Sequence, residues 1–425
     1  MDIALPAATG SRRIWLRVGT LLDGLSISPR RDAHLVYDSN QILYVGQSSP
    51  PPTLIAAGQC APDLDLPGFT LLPGLIDAHT HFFLEGGELD PARRSSFLQQ
   101  APARLLELAL PRLGKLVRLG VAGVRDAGDK HGVGLALSKL CARPDQPPMP
   151  YVDSPGAAIH HRGRYGSFMA EPLEDFPSPY ECVEARVRSG ADRIKLIPTG
   201  IIDFRKGEVT SEPQMTTGEI CELVSAAKSF GKQTLAHASG SAGIERTIEG
   251  GVDSVEHGFF IGDDLLARMR DRQIAWVPTF APVQKQLDHA SLLGWDANVT
   301  SNLQRILEQH ASSLRKAHQF GVTIIAGSDA GSFGVPHGLG LLYELELMES
   351  AGLSPIAVIN AATGASSPRL AFKEKFGQIF PGFRSRFILT RQSPLESVPN
   401  LQKPKVVIFD GHVLESRGEE DASGL

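Results

Sequence analysis

Residues 71–81 read Leu71-Leu72-Pro73-Gly74-Leu75-Ile76-Asp77-Ala78-His79-Thr80-His81, and this stretch decides the fold. The apolar run from Phe69 to Ile76 predicts a buried strand, and two histidines separated by one residue follow it. Side chains two residues apart on a strand point to the same face, so His79 and His81 would present two imidazoles side by side. Imidazole is the commonest protein ligand for metals of the zinc class. The stretch predicts a metal site at a strand end, although two such histidines could also be ordinary polar loop residues.

Length and composition place the chain among ordinary globular proteins. Its 425 residues suit one large domain and a smaller one, and 42% hydrophobic and 21% charged residues are typical values. The formal net charge of -5 gives no support for nucleic acid or an anionic membrane as a partner. Residues 1–10 lack the pattern of a signal peptide, and no apolar run is long enough to span a bilayer. Because the four cysteines are scattered without Cys-x-x-Cys spacing, we expect free thiols and a cytoplasmic protein.

The two ends of the chain are alike and differ from the middle. Short strand-like runs and turns fill residues 13–47, and similar runs recur within 387–414. We therefore predict one small β-sandwich domain built from both chain termini, residues 1–68 and 375–425. The predicted larger domain spans residues 69–374.

The middle of the chain alternates between helix-like stretches and short strand-like runs. The stretch 103–119, for example, carries apolar residues at three- and four-residue spacing, and a strand-like run follows it. Eight such units over roughly 300 residues predict the α/β class and a (β/α)8 TIM barrel. A doubly wound sheet is the alternative, but no Gly-x-Gly-x-x-Gly follows the first strand. The predicted strands are the run before His79 and residues 150–156, 121–126, 191–197, 233–237, 254–257, 274–278 and 322–327.

Functional side chains of such a barrel lie at the carboxyl ends of its strands. A single histidine at a strand end is more often a hydrogen-bonded structural residue. Several histidines and an aspartate at the strand ends of one barrel would instead converge on a common cavity. The residues at these positions are His79, His81, His237, His257 and Asp329, with Lys195 inside the fourth strand.

Lys195 lies within the apolar run 194–197, where an unpaired ammonium would be costly to bury. Burial beside metal ions would favour the neutral amine, because desolvation and positive charge both disfavour the cation. A neutral amine can add carbon dioxide and become a carbamate, an anionic oxygen ligand able to bridge two metal ions. The alternative is that Lys195 reaches solvent at the strand end, and the strand alone favours that alternative.

Taken in order, these motifs resemble the amidohydrolase superfamily, above all the branch with Xaa-Pro and Xaa-Arg dipeptidases and imidazolonepropionase-like hydrolases. The resemblance covers nearly the whole chain. It implies a barrel with a small β-sandwich domain, two divalent metal ions (usually zinc), a carboxylated lysine and hydrolytic chemistry. The matching motifs are residues 73–81, Ile194-Lys195, His237, Glu256-His257-Gly258, Gly327-Ser328-Asp329-Ala330-Gly331, His337-Gly338, and residues 343–348, 360–363 and 377–382.

The resemblance also implies a role for each candidate ligand. Carboxylated Lys195 would bridge the two metal ions, and the hydroxide that they generate would attack a carbonyl carbon. Asp329 would accept the proton of the attacking water and pass it to the leaving amine. The more buried ion would be held by His79, His81 and Asp329, and the second by His237 and His257.

The loop after the third strand departs from the dipeptidase branch, in which a Gly-Gly-His turn brings a histidine near the substrate. Here residues 159–166 read Ile159-His160-His161-Arg162-Gly163-Arg164-Tyr165-Gly166, and Tyr165 takes that position. Its hydroxyl could donate to a substrate carbonyl or a developing oxyanion, and the arginines could pair with a substrate carboxylate. The alternative is a solvated basic loop. The candidate substrate-binding residues are His160, His161, Arg164, Tyr165 and His337.

The favoured function is hydrolysis of an amide-type C–N bond in a small molecule that is N-acyl, carbamoyl or peptide-like. We expect an N-acyl or carbamoyl substrate, aromatic or carboxylate-bearing, in preference to common dipeptides. One alternative is a deaminase or cyclic-amide hydrolase with a single metal ion, against which Lys195 argues. Another is a catalytically inactive barrel with a binding role, against which the intact ligand set argues. By analogy with the relatives, we expect a homo-oligomer.

Overall fold

The computed structural model describes residues 7–8, 12–143 and 146–416. Most of residues 1–10, where we expected no signal peptide, lie outside that part of the chain. The strands are β1 (Ile14–Leu21), β2 (Arg30–Tyr37), β3 (Ile42–Gly46), β4 (Leu64–Pro73), β5 (Leu75–Thr80), β6 (Val121–Asp126), β7 (Tyr151–Asp153), β8 (Ile194–Leu196), β9 (Thr234–Ala238), β10 (Ser254–His257), β11 (Ala275–Val277), β12 (Arg386–Thr390), β13 (Lys405–Phe409) and β14 (His412–Ser416). The α-helices are α1 (Pro91–Phe97), α2 (Pro102–Arg118), α3 (Val133–Cys141), α4 (Pro179–Arg188), α5 (Thr217–Ser229), α6 (Ser241–Glu249), α7 (Asp263–Asp271), α8 (Ala281–Asp288), α9 (Ala297–Phe320), α10 (Leu339–Ser350) and α11 (Pro355–Ala361).

Strands from both chain ends form one seven-stranded sheet, in the order β14-β13-β12-β4-β1-β2-β3. The predicted union of the two termini is thus present, and hydrogen bonds join the strands into one mixed sheet. The reason is β4, which pairs in parallel with β1 on one side and antiparallel with β12 on the other. The sheet curves enough for Tyr37 of β2 to pack edge-on against Phe387 of β12, with ring centroids 5.0 Å apart.

The predicted first strand, residues 69–76, consists of two strands that serve different sheets. The Gly74 N–H donates to the Arg386 carbonyl of the small sheet, whereas the Leu75 N–H donates to the Gly120 carbonyl beside β6. The small sheet therefore continues to Pro73, and the predicted boundary at residue 69 falls inside β4. Both strands are buried, so their apolar residues run together in the sequence without a visible break.

The remaining strands are parallel and form two sheets, β5-β6-β7 and β11-β10-β9-β8. Isolated parallel bridges connect Ile159 to Leu196, Trp276 to Ile324 and Thr80 to Ala330. Within the described ranges, residues 322–327 form no regular strand, although they lie between β11 and β5 as the predicted eighth strand would. The α/β class is confirmed, but the described strands are not joined into one closed barrel.

Helices pack against these parallel strands through apolar faces. In α2, for example, Leu105, Ala109, Leu113 and Leu116 are buried, a spacing that places them on one face of the helix. They belong to the large hydrophobic core that includes residues of β6 and β8 to β11. Among the described residues, no helix is both long enough and apolar enough to cross a membrane.

Candidate metal centre

A cavity of about 210 Å³ opens at the carboxyl ends of the parallel strands. Strands β8, β9 and β10 are neighbours, and their register places Lys195, His237 and His257 at one edge. On the opposite side, the Asp329 N–H donates to the His79 carbonyl over 2.7 Å, which fixes Asp329 beside β5. All six predicted metal ligands line this cavity: His79, His81, Lys195, His237, His257 and Asp329.

Hydrogen bonds orient the two histidines at the end of β5. His79 Nδ1 lies 2.6 Å from Glu256 Oε2, and His81 Nδ1 lies 3.2 Å from the Gly128 carbonyl oxygen. Because a carboxylate and a carbonyl only accept, both Nδ1 atoms carry the proton and both Nε2 atoms keep a lone pair. These Nε2 atoms lie 3.6 Å and 3.4 Å from Asp329 Oδ1. The Nε2 atoms of both histidines are therefore close to the same carboxylate oxygen.

The second pair of histidines faces the first across the cavity floor. The rings of His237 and His257 are 4.5 Å apart, and His257 is 5.0 Å from His79. His237 Nε2 donates to the Gly200 carbonyl, which leaves the lone pair on Nδ1, and His257 Nδ1 lies 2.8 Å from Thr279 Oγ1. One ligand atom each from His79, His257 and Asp329 lie within 4.8 Å of one another.

The backbone around these residues is strained. His257, Thr279 and Asp329 have φ angles of 68°, 51° and 55°, in the left-handed region that non-glycine residues rarely adopt. Such residues cost about 1–3 kcal/mol each and cluster at functional sites. Gly327 allows its own backbone to approach that of His79 closely, since a Cβ atom at Gly327 would lie 2.9 Å from the backbone nitrogen of His79. The strained backbone thus coincides with the part of the fold where the candidate metal ligands lie.

Burial keeps the imidazoles neutral. It lowers the pKa of His81 and of His237 to about 3, with nearby Lys195 adding to the effect, and lowers the pKa of His79 and of His257 well below the ordinary value. Burial also raises the pKa of Asp329 to about 7. Neutral imidazole is the form that binds metal.

The chemistry of the donor set fits a divalent cation. His79 Nε2 is fully buried and has no hydrogen-bond partner among the described residues, which is costly unless another group binds it. The adjacent lone pairs and the Asp329 carboxylate are ligands that zinc-class metals prefer. Burial lowers the pKa of Lys195 to about 8, so a substantial fraction of this amine is neutral near physiological pH.

Two residues of the site were not among the predicted site residues. Glu256 is fully buried and receives hydrogen bonds from Arg125 Nη2 at 2.8 Å and Ser254 Oγ at 2.6 Å in addition to His79. The sequence signal for Glu256 is a charged residue inside a buried strand, directly before His257. Arg125, near the end of β6, is likewise a charged residue within an apolar strand. The same feature of the sequence identifies Lys195.

We expect Glu256→Gln to lower metal affinity about 10- to 100-fold, because the amide no longer holds His79 in its metal-binding tautomer. The variant also leaves Arg125 buried without its partner, which costs about 3–5 kcal/mol of folding stability. Calorimetric metal titration and thermal unfolding measure the two effects separately. In the double variant Arg125→Met/Glu256→Gln, stability should recover in part while metal affinity stays low. Unchanged metal affinity in both variants would contradict the orienting role.

Of the five candidate substrate-binding residues, only Tyr165 lines the cavity. Its ring lies 5.1 Å from that of His237, and its hydroxyl makes no hydrogen bond to a described residue. Both ring nitrogens of His160 lie within 3.1 Å of backbone carbonyl oxygens, which accounts for its burial. The other three contact other protein groups: His161 pairs with Glu174 and Glu219, and Arg164 donates to the Glu212 carbonyl. His337 stacks on Phe82, and its Nε2 lies 3.2 Å from the carbonyl oxygen of His81.

The parallel strands with helices and the buried donors at their carboxyl ends define an α/β protein with a candidate metal centre. The chain belongs to the amidohydrolase family, whose model matches residues 70–414, and the predicted resemblance is confirmed.

Individual relatives share the whole architecture. Ochratoxinase from Aspergillus niger is 25% identical over 423 residues, covering 94% of this chain and 86% of the relative. The crystal structure of a Xaa-Pro dipeptidase with bound methionine is 27% identical and has a TM-score of 0.79, covering 95% of this chain and all of the other. The Aspergillus niger ochratoxinase structure has a TM-score of 0.77 at 21% identity, covering 97% of this chain and 99% of that one.

Proposed function

We propose that this protein is a binuclear metal-dependent hydrolase that cleaves an amide-type C–N bond in a small molecule. The observation that carries the proposal is that all six predicted ligands line one cavity, with a buried His79 Nε2 that has no hydrogen-bond partner among the described residues. Similarity to a Xaa-Pro dipeptidase at 27% identity supports a C–N bond as the target. We further propose zinc as the metal and a homo-oligomeric state, both by analogy with the family.

In this proposal, Lys195 carries a carbamate. Its ammonium group, at the cavity lining, would lose one proton, and the neutral amine would then add carbon dioxide with loss of a second proton, so that an anionic ligand replaces a buried cation. This exchange removes the mutual repulsion between the ammonium and the cations that the histidines would hold. His79 and His81 with Asp329 would hold one metal ion, and the remaining pair of histidines the other.

In this proposal, Asp329 and Tyr165 have separate roles in the reaction. When bound, the metal ions would polarise the carbonyl and make water acidic. Asp329 would take a proton from water and deliver it to the leaving nitrogen, since its carboxylate lines the cavity beside the candidate histidine ligands. Tyr165 would donate its hydroxyl hydrogen to the substrate carbonyl oxygen.

Metal content and hydrolysis test the proposal together. Protein purified without chelator should contain about two divalent ions per chain by elemental analysis and should hydrolyse members of a panel of N-acyl amino acids, dipeptides, carbamates and ureas. Chelation should abolish the activity, and added zinc should restore it. Active protein with a metal content near zero would refute the proposal.

A mononuclear deaminase or cyclic-amide hydrolase is the second candidate. The observation that favours it is the triad of His79, His257 and Asp329, whose ligand atoms lie within 4.8 Å of one another and could hold one ion without the other groups. A content of one metal ion per chain, with full activity retained in a Lys195 variant, would select this candidate. An inactive binding protein would show neither activity nor stoichiometric metal.

Tyr165→Phe isolates the proposed hydrogen bond, because it removes only the hydroxyl and retains the ring that packs beside His237. We expect kcat to fall on the order of 100-fold, as when one oxyanion donor is lost, with metal content unchanged. Phe168→Leu offers a matched control, since Phe168 lines the same part of the cavity and has no donor. Equal kcat in Tyr165→Phe and the parent protein would remove Tyr165 from the mechanism.

A further inference from the structure

We propose that the group flanking the scissile bond of the substrate is uncharged and apolar, as in an anilide, aryl carbamate or arylurea without a carboxylate. This inference rests on the proposed function and narrows it. It also revises the expectation that the substrate bears a carboxylate. The basis is the lining of the cavity above the candidate metal centre.

Aliphatic and aromatic side chains form most of this lining, and we call them the apolar wall. They come from five separate segments: the residues after β5, the loop after β7, the loop after β8, the residues after β10, and α8. An apolar wall binds apolar groups by removing their surface from water. The apolar wall comprises Leu84, Phe168, Met169, Ile197, Ile201, Ile202, Phe204, Phe259, Pro282 and Val283.

The part of the apolar wall after β8 is held in place by α9. Asn302 Nδ2 donates to the Phe204 carbonyl at 3.1 Å, and Arg305 Nη2 donates to the Gly207 carbonyl at 2.9 Å. Beneath this loop, Ile202 packs in one buried cluster with Val283 of α8. Because these side chains are already held in place, binding a substrate need not order them first. The apolar character of the wall can then discriminate between substrates.

Cations that could pair with a substrate carboxylate are missing from the described lining. Lys195 is the one lysine or arginine there, and it lies on the metal-site floor. Arg164 faces a neighbouring groove and donates to the Glu212 carbonyl. Arg94 donates to the carbonyl oxygens of Glu85 at 2.6 Å and Gly331 at 3.0 Å.

A carboxylate against the apolar wall would thus lose its hydration and gain no ion pair, which is strongly unfavourable. A neutral amide, carbamate or urea needs only a few hydrogen bonds. The hydroxyl groups of Tyr165 and Ser239, both in the lining, can supply them, whereas those of Thr279 and Ser332 contact His257 and Asp329 of the candidate metal centre. The lining therefore favours neutral compounds over the carboxylate-bearing substrates of a dipeptidase.

Three anilides that share one acetanilide core test the inference with metal-loaded protein: acetanilide, 4-acetamidobenzamide and 4-acetamidobenzoate. The carboxamide matches the size of the carboxylate and lacks its charge. We expect kcat/KM for the carboxylate to be on the order of 100-fold below that for the carboxamide, from the cost of burying an unpaired charge. Equal or faster hydrolysis of the carboxylate would overturn the inference.

A variant pair tests the same point from the side of the protein. Ile201 is 55% exposed at the cavity mouth, so a polar replacement should not disturb the core. Ile201→Arg adds a cation there, and Ile201→Gln is the neutral control. We expect kcat/KM for 4-acetamidobenzoate to be at least about tenfold higher in Ile201→Arg than in Ile201→Gln, the gain of a charge-assisted hydrogen bond. The carboxamide should show no such difference, and an equal gain for both compounds would count against the inference.

Binding separates failure of the inference from failure of the proposed function. If metal-loaded protein hydrolyses none of the three anilides or the wider panel, the proposed function is contradicted, and calorimetry then tests the substrate class alone. Tighter binding of the carboxamide than of the carboxylate by the parent protein, reversed in Ile201→Arg, supports an uncharged substrate group. Equal affinities in the parent protein overturn it.

Discussion

Lys195→Ala is expected to abolish hydrolysis and to lower the metal content from about two ions per chain to one or fewer. The side chain is 2% exposed and its amine lies at the cavity floor, where we propose that it carries a bridging carbamate. Without the carbamate, two cations a short distance apart repel one another with no anion between them. Elemental analysis and the rate of hydrolysis, measured on one preparation, check both parts of this result.

Three controls make the Lys195 result specific. Lys405→Met removes another buried lysine, one in β13 of the small sheet that donates to the Leu401 carbonyl, and should leave metal content unchanged. Short carboxylic acids added to Lys195→Ala in bicarbonate-free buffer should restore part of the metal binding by replacing the carbamate. Labelled bicarbonate should give a carbamate signal in the ¹³C spectrum of the parent protein only. Full activity in Lys195→Ala would refute the bridging role.

Asp329→Asn is expected to reduce kcat by about 10²–10⁴-fold while KM changes far less. The amide retains the shape of the side chain but can no longer accept a proton. Asp329 Oδ1 lies 3.6 Å from His79 Nε2 and 3.4 Å from His81 Nε2, so the proposed proton shuttle also contacts two candidate metal ligands. Steady-state kinetics must therefore be read beside the metal content of the same sample.

Asp126→Asn is a matched control for Asp329→Asn. Asp126 is also a buried aspartate with a raised pKa, about 8, caused first by burial, but it is not among the residues that line the cavity. It accepts hydrogen bonds from the Phe82 N–H and Ser154 Oγ, so its replacement should cost stability rather than chemistry. A loss below tenfold in Asp329→Asn with both metal ions retained would assign proton transfer to another group.

Much of the candidate site was predictable because its information is local. A strand positions side chains with a period of two residues, so His79 and His81 could be placed together without any knowledge of the rest of the chain. Lys195 stood out because a charge within an apolar run is rare. The ordered motifs were enough to identify the family.

The shape of the small sheet depended on contacts that no local pattern records. The run 69–76 is uniformly apolar, yet β4 pairs with β1 and β12, and β5 pairs with β6. Only hydrogen bonds to distant residues separate the two strands. The same limit explains why the sequence does not show that β4 joins strands from both chain ends into one hydrogen-bonded sheet.

The sequence by itself determined which residue types stand at the strand ends, and with them the family. The tertiary structure alone decided which residues of the loop 159–166 reach the cavity, since Tyr165 lines it while Arg164 faces a neighbouring groove. It also decided that Glu256 orients His79, a residue 177 positions away. The physical reason is that alternation along a strand is a property of neighbours, whereas burial, tautomer and the charge of a cavity depend on side chains that only folding brings together.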